Sequence, residues 1–298
     1  MLFFNANFIC YYFYPTKKRE EPNISRAAER LHVTQPTLSR QMAALEEELG
    51  TQLFIRGKHL QLTDAGVLLR GRAEEVTQII DKIRMEFKAG EELSGVVSIG
   101  TGGLMSAQIL SKLISEFRAL HPAVRFNIYT NSADHLREQL DRGLLDFAFL
   151  LEPVDIGKYD YVRMQVKERW GILMPKGHPL EEKPLISRKD LLHQPLVMTN
   201  RANVQKELAG WFGGSMEHLD FIATYNLINN VANLVSDGTA CAMTLEGVVN
   251  FLDPQKFTFR PLSPDLSATS VVAWKKLSPF FGAASAFLST IKRYAKTE

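Results

Sequence analysis

One stretch decides the fold of this chain: Ser25 to Glu46, which reads SRAAERLHVTQPTLSRQMAALE. Its pattern predicts two short helices joined by a tight turn at His32 and Val33. Thr34 is suited to cap the second helix, and Pro36 falls in its first turn, where a missing N–H group is tolerated. Apolar residues then recur at helical spacing and predict a buried stripe. These residues are Leu38, Met42, Leu45 and Leu49.

The face of the second helix opposite this stripe carries side chains that suit nucleic acid. Gln and Arg can form paired hydrogen bonds with base edges, and Ser can bond a base or a phosphate. They lie near the helix N-terminus, the end that a recognition helix places in the major groove. An ordinary solvated polar face is the alternative. The candidate DNA-binding residues here are Ser25, which we expect to cap the first helix, and Thr34, Gln35, Pro36, Thr37, Ser39 and Arg40.

Two short apolar runs follow, with a basic tip between them. Gly50 is suited to end the preceding helix, and the runs lie around Phe54 and Leu62. This pattern predicts a two-stranded wing. Arg56 and Lys58 at its tip are expected to contact phosphates, and the strength of such contacts depends on salt.

These motifs resemble a known family. TQPTLSRQMAALEEELGTQLFIR, followed by LQLTDAGVLL, is similar to the winged helix-turn-helix of LysR-type transcriptional regulators, and the likeness is dense over Asn23 to Leu69. Met1 to Pro22 departs from the family pattern, because two prolines interrupt it and Lys17 to Arg19 stand where apolar residues are expected. Either the first helix is divergent and shortened, or the start or reading frame is altered. A signal peptide is rejected, because the basic residues follow the apolar run.

The apolar pattern from Asp64 to Ala89 predicts one long helix that ends at Gly90. Apolar residues recur along this helix with heptad spacing and form a seam. Such a seam favours pairing with a second copy of the helix over packing of the helix on its own domain. In the family that the chain resembles, such a linker helix joins two DNA-binding domains. Two recognition helices would then read half-sites about one turn of DNA apart. The seam residues are Leu69, Ala73, Val76, Ile80, Ile83 and Phe87.

From Gly95 the pattern changes to strands that alternate with helices, which predicts a doubly wound parallel α/β sheet and then a second, similar unit. In this second unit we expect a strand at Gly171 to Met174 and a helix from Asn226 to Val235. FRALHPAVRF, LDRGLLDFAF and ILMPKGHPL resemble pieces of the LysR-type effector domain, which has a periplasmic-binding-protein-like fold. Leu245 stands where that family usually has proline. The expected organisation is a winged helix-turn-helix in residues 1–63, a linker helix in 64–90 and an effector domain in 91–298. Its subdomain I comprises 91–165 and 267–298, and subdomain II comprises 166–266.

Polar residues follow strands in both halves of this domain, where the carboxyl ends of a sheet form a crevice. Their hydroxyl, amide and guanidinium groups suit a small carboxylate or similar anion. For the glycine turn after the first strand, a tight turn without a ligand is an equal alternative. The candidate effector-binding residues are Thr101, Gly102, Gly103, Asn131, Ser132, Thr199, Asn200 and Arg201.

Other classes of protein have little support in the sequence. The net charge is only +2 over 298 residues, so the total charge does not indicate nucleic-acid binding. The placement of the basic residues is what indicates it. Cys10 and Cys241 are far apart, which disfavours a disulfide framework, a metal cluster and a local redox pair. No nucleophile, base and oxyanion set is found, so we expect no catalytic residues, no metal and no cofactor. No run has transmembrane length, and a reducing cytoplasm fits.

Two functions from different classes remain open. The first is a ligand-responsive regulator whose partners are double-stranded DNA, a small-molecule effector and further copies of the chain. A homodimer follows from the seam, and a homotetramer is implied only by the resemblance. The second is a small-molecule binding protein whose DNA-binding part is impaired by the atypical residues before Asn23.

Overall fold

The computed structural model describes residues 24–55, 61–86, 92–102, 105–276 and 280–297. The chain forms two compact units, Met1–Lys88 and Ala89–Glu298, and each is described by itself. Several predictions fall outside the described residues: those for residues 1–22, for the wing-tip residues Arg56 and Lys58, for Phe87 and for Gly103.

The first unit contains the two helices and the wing that the sequence predicts. Its elements are α1 (Ile24–Arg30), α2 (Gln35–Leu49), β1 (Phe54–Ile55), β2 (Gln61–Leu62) and α3 (Asp64–Glu86). Strands β1 and β2 pair in antiparallel register, with Phe54 opposite Leu62. The predicted helix from Asp64 is observed as far as Glu86, after which residues 87–91 are outside the description.

The ends of α2 follow ordinary capping chemistry. His32 makes the preceding turn with a φ of 54°, and the Thr34 side-chain oxygen accepts a hydrogen bond from the Thr37 backbone N–H at 3.4 Å. Gly50 ends the helix in the left-handed region, with a φ of 63°. The predicted capping role of Ser25 is wrong, because α1 already includes Ile24 and Ser25 therefore lies inside the helix.

The core of the first unit joins α1, α2 and the wing. Leu38, Met42 and Leu45 are buried against Ala27 and Ala28, whose small side chains allow the two helices to approach closely. The predicted stripe is one residue too long. Leu49 is 41% exposed, because it is the last residue of α2 and the chain reverses directly after it.

The side-chain carboxylate of Glu46 links the wing to α2 through hydrogen bonds. Oε1 of Glu46 accepts hydrogen bonds from the backbone N–H groups of Leu53 at 2.8 Å and Phe54 at 3.0 Å. Thr63 then caps α3, since its hydroxyl accepts a bond from the N–H of Gly66 at 3.0 Å. The carboxylate of Glu46 therefore fixes the position of the first wing strand relative to α2.

The second unit has strands in both directions around one long central strand. Its strands are β3 (Gly95–Thr101), β4 (Val124–Thr130), β5 (Phe147–Leu151), β6 (Tyr159–Pro175), β7 (Ile186–Ser187), β8 (Pro195–Thr199), β9 (Asp220–Tyr225), β10 (Cys241–Leu245), β11 (Phe257–Ser263) and β12 (Ser267–Lys275). Its α-helices are α4 (Met105–Leu120), α5 (Ala133–Asp141), α6 (Ala202–Phe212), α7 (Ala232–Ser236) and α8 (Gly282–Thr297). Among its described residues, short 3-10 helices lie at Pro179–Glu182, Arg188–Leu191, Ile228–Asn230 and Glu246–Phe251.

The strand order is β4-β3-β5-β12-β6-β10-β8-β9, with β11 beside β6. The β4-β3-β5 and β9-β8-β10 segments are parallel, as the alternation of strands and helices predicts. Strand β6 pairs with β12 as far as Arg169 and with β10 from Trp170 onward. Each half is covered on both faces by separate apolar clusters, which is the layering of a doubly wound fold.

The sequence pattern missed most of β6 and misread one helix. Only Gly171 to Met174 were predicted as strand, although Val162, Met164 and Val166 alternate with charged and polar residues in a strand pattern that the prediction overlooked. The predicted helix from Asn226 to Val235 is a 3-10 helix followed by the short α7. It is interrupted because Val231 adopts a φ of −117°.

Two glycines of α3 provide a matched test of the packing in the first unit. A Cβ atom on Gly66 would lie 2.2 Å from the Leu53 backbone oxygen, whereas one on Gly71 would have nothing within 4 Å. We expect Gly66→Ala to destabilise the unit by about 1–3 kcal/mol. We expect Gly71→Ala to stabilise it by about 0.5–1 kcal/mol, because alanine favours helix. Amide hydrogen exchange of residues 24–55 measures both changes, and equal protection in the two variants would contradict this packing.

Candidate functional site

The predicted recognition face of α2 is open to solvent. Gln35, Pro36, Thr37 and Arg40 are exposed, and Ser39 is half-buried. Thr34 is exposed too, but its hydroxyl is engaged with that of Thr37 at 2.8 Å and with the helix N-terminus, so its role is first of all structural. Ser25 is exposed within α1.

Charge along α2 is arranged so that one end can approach an anion. The first turn contains no acidic residue, while Glu46, Glu47 and Glu48 lie in the last turns. The helix dipole places partial positive charge at the N-terminus, and Arg40 adds a full one nearby. A polyanion can therefore approach the N-terminal half of α2, whereas the C-terminal turns repel it.

The predicted seam of α3 is mixed in its exposure. Leu69, Val76 and Ile80 are half-buried within one chain, and Ile83 is 47% exposed. Ala73 differs, because only 2% of it is exposed, and a side chain that its own chain covers adds little to an interface. Val76, Ile80 and Ile83 therefore leave apolar surface open in the C-terminal half of α3, and Val67 and Leu68 leave more near its N-terminus, where they are 48% and 65% exposed.

A cleft separates the two halves of the second unit. It encloses about 670 Å³, part of which is open to solvent. Its lining residues are Gly102, Asn131, Ser132, Ala133, Leu136, Phe149, Leu150, Leu151, Trp170, Thr199, Arg201, Val204, Tyr225, Asn226, Leu227, Ile228, Thr244 and Leu245. The structure thus brings together five of the residues singled out from the sequence: Gly102, Asn131, Ser132, Thr199 and Arg201.

Two other predicted residues do not line this cleft. Thr101 is the last residue of β3, which pairs with a strand on each side, and only 3% of it is exposed. Asn200 follows Thr199 and is exposed elsewhere, since successive side chains of an extended chain point in opposite directions. Its backbone N–H donates to the Tyr225 oxygen at 2.8 Å, so its contribution is to the turn after β8.

Arg201 extends from one half to the other. Its Nη2 donates to the backbone oxygens of Leu151 at 3.2 Å and Pro153 at 3.0 Å, which lie at the end of β5 and just after it. Burial lowers the pKa of Arg201 from its usual value, and the charge of Asp134 opposes that change. A guanidinium remains charged at neutral pH even so. Since guanidinium has five N–H donors, these two bonds leave capacity for an anion.

Two helix N-termini add partial positive charge to the cleft. Ser132 precedes α5 and Arg201 precedes α6, and neither side chain caps its helix. The first turn of α6 contains no acidic residue, although that of α5 contains Asp134. Backbone N–H groups at such ends bind anions. None of the described residues that line the cleft is acidic.

The sequence pattern missed much of the cleft wall. Trp170 lies inside β6, Tyr225 ends β9, and Thr244 and Leu245 end β10. The hydroxyl of Tyr225 donates to the Met243 oxygen at 2.7 Å, and burial raises the pKa of this phenol to about 12. Position at the end of a parallel strand, the signal that picked out Thr199, could also have identified Tyr225 and Thr244. No comparable signal existed for Trp170.

The described part of the chain offers little for other chemistry. Within it, no group of three or more His, Cys, Asp or Glu residues could hold a metal ion. The one cysteine that it includes, Cys241, is a buried thiol whose pKa is raised by burial to about 11, which makes it a poor nucleophile. None of the described helices is long and apolar enough to span a membrane.

Comparison with known families gives two matches that together cover most of the chain. Residues 18–67 match the bacterial regulatory helix-turn-helix protein, lysR family. Residues 90–296 match the LysR substrate binding domain.

Individual relatives agree with these matches. The chain is 27% identical over 282 residues to the uncharacterized HTH-type transcriptional regulator YvbU of Bacillus subtilis, covering 93% of this chain and 94% of that protein. It is 25% identical to the Hca operon transcriptional activator HcaR of Escherichia coli over 259 residues, or 85% and 87% of the two chains. Full-length CbnR in complex with its target DNA has the same fold, with a TM-score of 0.74, 19% identity and coverage of 98% and 99%.

The first prediction from this geometry concerns the recognition face. We expect Arg40→Ala and Gln35→Ala each to weaken binding to a specific operator by about 1–3 kcal/mol, because each removes hydrogen bonds to a base edge. Arg72→Ala is the matched control, since it removes an exposed cation from α3 that pairs with Glu75 at 3.1 Å. Fluorescence anisotropy with labelled operator measures all three variants. Operator affinity that falls no further in Arg40→Ala than in Arg72→Ala would argue against base reading by Arg40.

The second prediction concerns the seam. Ile80→Lys should yield a smaller species in light scattering, because a cation at a symmetric interface must be buried beside its copy. Gln78→Lys introduces the same charge at a position of α3 that is exposed, and it should leave the mass unchanged. If the unmodified protein is already a monomer at micromolar concentration, or if both variants lose mass alike, α3 is not the dimer interface.

Proposed function

The chain belongs to the LysR family of bacterial regulatory helix-turn-helix proteins, and on that premise we propose how it works as a ligand-responsive transcriptional regulator. The first unit binds operator DNA through its winged helix-turn-helix. The second unit binds a small-molecule effector in the cleft between its halves. The observation that carries this proposal is the convergence of Arg201, two uncapped helix N-termini and an apolar wall on one cleft.

DNA recognition is assigned to the N-terminal half of α2. Its exposed Gln35 and Arg40 are suited to base edges, and its acid-free first turn is suited to a phosphate. The full set of proposed DNA-binding residues remains the one predicted from the sequence, including Arg56 and Lys58 of the wing tip. CbnR, which shares this fold, has been solved with its target DNA, and this supports the assignment at the level of the domain.

The proposed assembly is a homodimer that pairs through α3, and a homotetramer is the larger assembly that we expect from the family. The support is the apolar surface that α3 leaves open, with Val76 and Ile80 half-buried and Ile83 largely exposed. An operator with two half-sites then fits two recognition helices. The place of action is proposed to be the cytoplasm, where DNA is accessible.

The proposed effector is a small anion. Arg201 is the one charged side chain among the described residues that line the cleft, and none of them is acidic. Arg201 supplies the charge, and its bonds to Leu151 and Pro153 couple anion binding to the crossover between the halves. A ligand that binds one arrangement of the halves better than another shifts the population toward it, and this is how occupancy can change DNA binding. Catalysis has no part in this proposal, and the named relatives are regulators.

An electrophoretic mobility shift assay with the full chain and the DNA that flanks its own gene tests the proposal. A specific shift, with an affinity or footprint that changes on addition of an effector, is expected. The alternative, a small-molecule binding protein with an impaired DNA-binding part, predicts effector binding in calorimetry without any specific shift. That second result would overturn the regulatory proposal and leave the cleft assignment in place.

The role of Arg201 can be tested against a matched arginine. We expect Arg201→Ala to weaken binding of an anionic effector about ten- to hundredfold, since hydrogen bonds to charged groups contribute about 1.5–3 kcal/mol. Arg169→Ala is the control, because Arg169 pairs with Glu246 at 2.9 Å outside the cleft. Isothermal titration calorimetry measures affinity, and the shift assay without effector checks that DNA binding survives. Equal affinities in the two variants would exclude Arg201 from the effector site.

A further inference from the structure

Hydrogen bonds connect the recognition helix α2 to the start of α3 through the base of the wing. The carboxylate of Glu46 in α2 accepts a bond from the backbone N–H of Leu53 at 2.8 Å. The backbone oxygen of Leu53 in turn accepts a bond from the N–H of Thr63 at 3.0 Å. Leu53 is therefore bonded on one side to α2 and on the other side to the residue that caps α3.

The side chain of Thr63 reinforces this connection. Its hydroxyl donates to the backbone oxygen of Gln52 at 2.7 Å and accepts a bond from the N–H of Gly66 at 3.0 Å. A hydroxyl has one proton and two lone pairs, so both bonds can form at the same time. One side chain thus joins the segment that enters the wing to the first turn of α3.

The first turn of α3 lies directly against the base of the wing. A Cβ atom on Gly66 would lie 2.2 Å from the Leu53 backbone oxygen and 2.8 Å from Cδ2 of Leu62, so the contact leaves no room for a side chain. Ala65 and Leu69 pack against the apolar core that contains Leu53. Close packing of this kind resists rotation of one element on another. The wing base therefore holds α3 at a fixed angle to α2.

We infer that Glu46 and Thr63 are positioning residues that fix the angle between α2 and α3, and that this angle selects the spacing of the two half-sites in the operator. The inference rests on the function proposed above, in which α3 pairs two copies of the chain and α2 reads DNA. Once the two α3 helices are paired, the angle between α2 and α3 determines the separation and rotation of the two recognition helices. Half-sites about one turn of DNA apart fit one such arrangement.

Spacing selectivity reports on this joint, whereas affinity for a single half-site reports on the recognition face alone. Each base pair inserted between two half-sites rotates one of them by about 35° about the DNA axis and moves it by about 3.4 Å. A rigid dimer can then bind both half-sites only if the DNA bends or twists, and that deformation weakens binding. A dimer with a loosened joint adapts instead, so its affinity depends less on the spacing.

Two neighbouring glutamates of α2 form a matched pair for the test. Glu46→Ala removes the acceptor of the Leu53 and Phe54 N–H groups, and it should broaden the range of half-site spacings that the protein binds. Glu47→Ala removes the same charge from an exposed side chain in the same turn, and it should keep the spacing preference of the unmodified protein. Glu46→Gln should restore that preference, because an amide oxygen can accept both N–H groups.

The probes are duplexes made from the DNA that flanks the gene of this protein. One series has insertions of single base pairs, up to about half a turn, between the half-sites that a footprint defines, and a further duplex keeps one half-site only. Fluorescence anisotropy with the full chain measures each affinity. An insertion of a few base pairs should weaken binding of the unmodified protein about tenfold or more, and binding of Glu46→Ala about threefold or less. Affinity for the single half-site should be the same in both.

A second pair of variants decides the matter if Glu46→Ala does not fold. Thr63→Val keeps the shape of the side chain and removes its two hydrogen bonds, so it should also broaden the spacing profile. Thr51→Val makes the same change at an exposed position in the turn after α2, and it should leave the profile unchanged. A Thr63→Val profile as steep as that of Thr51→Val would overturn the inference.

The remaining outcomes separate the inference from the function on which it rests. If Glu46→Ala weakens binding to every duplex by the same factor, the single half-site included, Glu46 contributes stability alone and the inference is wrong. The inference is also wrong if Glu46→Ala and Glu47→Ala give the same spacing profile. An unmodified protein that binds none of the duplexes specifically would contradict the proposed function, and the inference with it.

Discussion

The second unit depends on one strand, β6, whose 17 residues take part in the sheets of both halves. Backbone hydrogen bonds hold paired strands at about 4.8 Å, so a strand that changes partner fixes where two sheets separate. The exchange takes place between Arg169 and Trp170, and the cleft lies at that point. The floor of the cleft, formed by β6, is consequently rigid. The two helix N-termini that border the cleft belong to different halves. A site of this kind can respond to a ligand because the halves are joined by few segments.

Arg201 adds a second connection of a different character. Its guanidinium bonds backbone oxygens of Leu151 and Pro153, and it comes from the residue that precedes α6. The bonds span the halves without a covalent link, so a ligand can strengthen, share or replace them. This arrangement places a single cation where charge recognition and the relative position of the halves are coupled. It gives a physical basis for a change in one half to be transmitted to the other.

The first unit shows a conflict between helix stability and the approach of DNA. Acidic residues stabilise a helix when they lie in its first turn and destabilise it when they lie in its last. Helix α2 nevertheless has none in its first turn and three glutamates near its end. The arrangement leaves the N-terminus free for a polyanion. Glu46 offsets part of the lost helix stability, because its carboxylate accepts two hydrogen bonds from backbone N–H groups at the start of the wing. The residue that looks unfavourable in the helix is the one that positions the wing.

By itself the sequence determined the two helices, the turn, the wing and the alternation of strands and helices, because these depend on local spacing and capping. Thr34, Gly50 and the stripe from Leu38 to Leu45 could be identified from such signals. It also brought five of the cleft residues into one prediction, since they follow strand ends. Only the tertiary structure decided that Thr101 is enclosed by neighbouring strands, that Ala73 is covered and that β6 changes partner between Arg169 and Trp170. It alone placed Trp170 at the cleft, because this depends on which strand a residue pairs with, and pairing between residues distant in sequence leaves no local pattern.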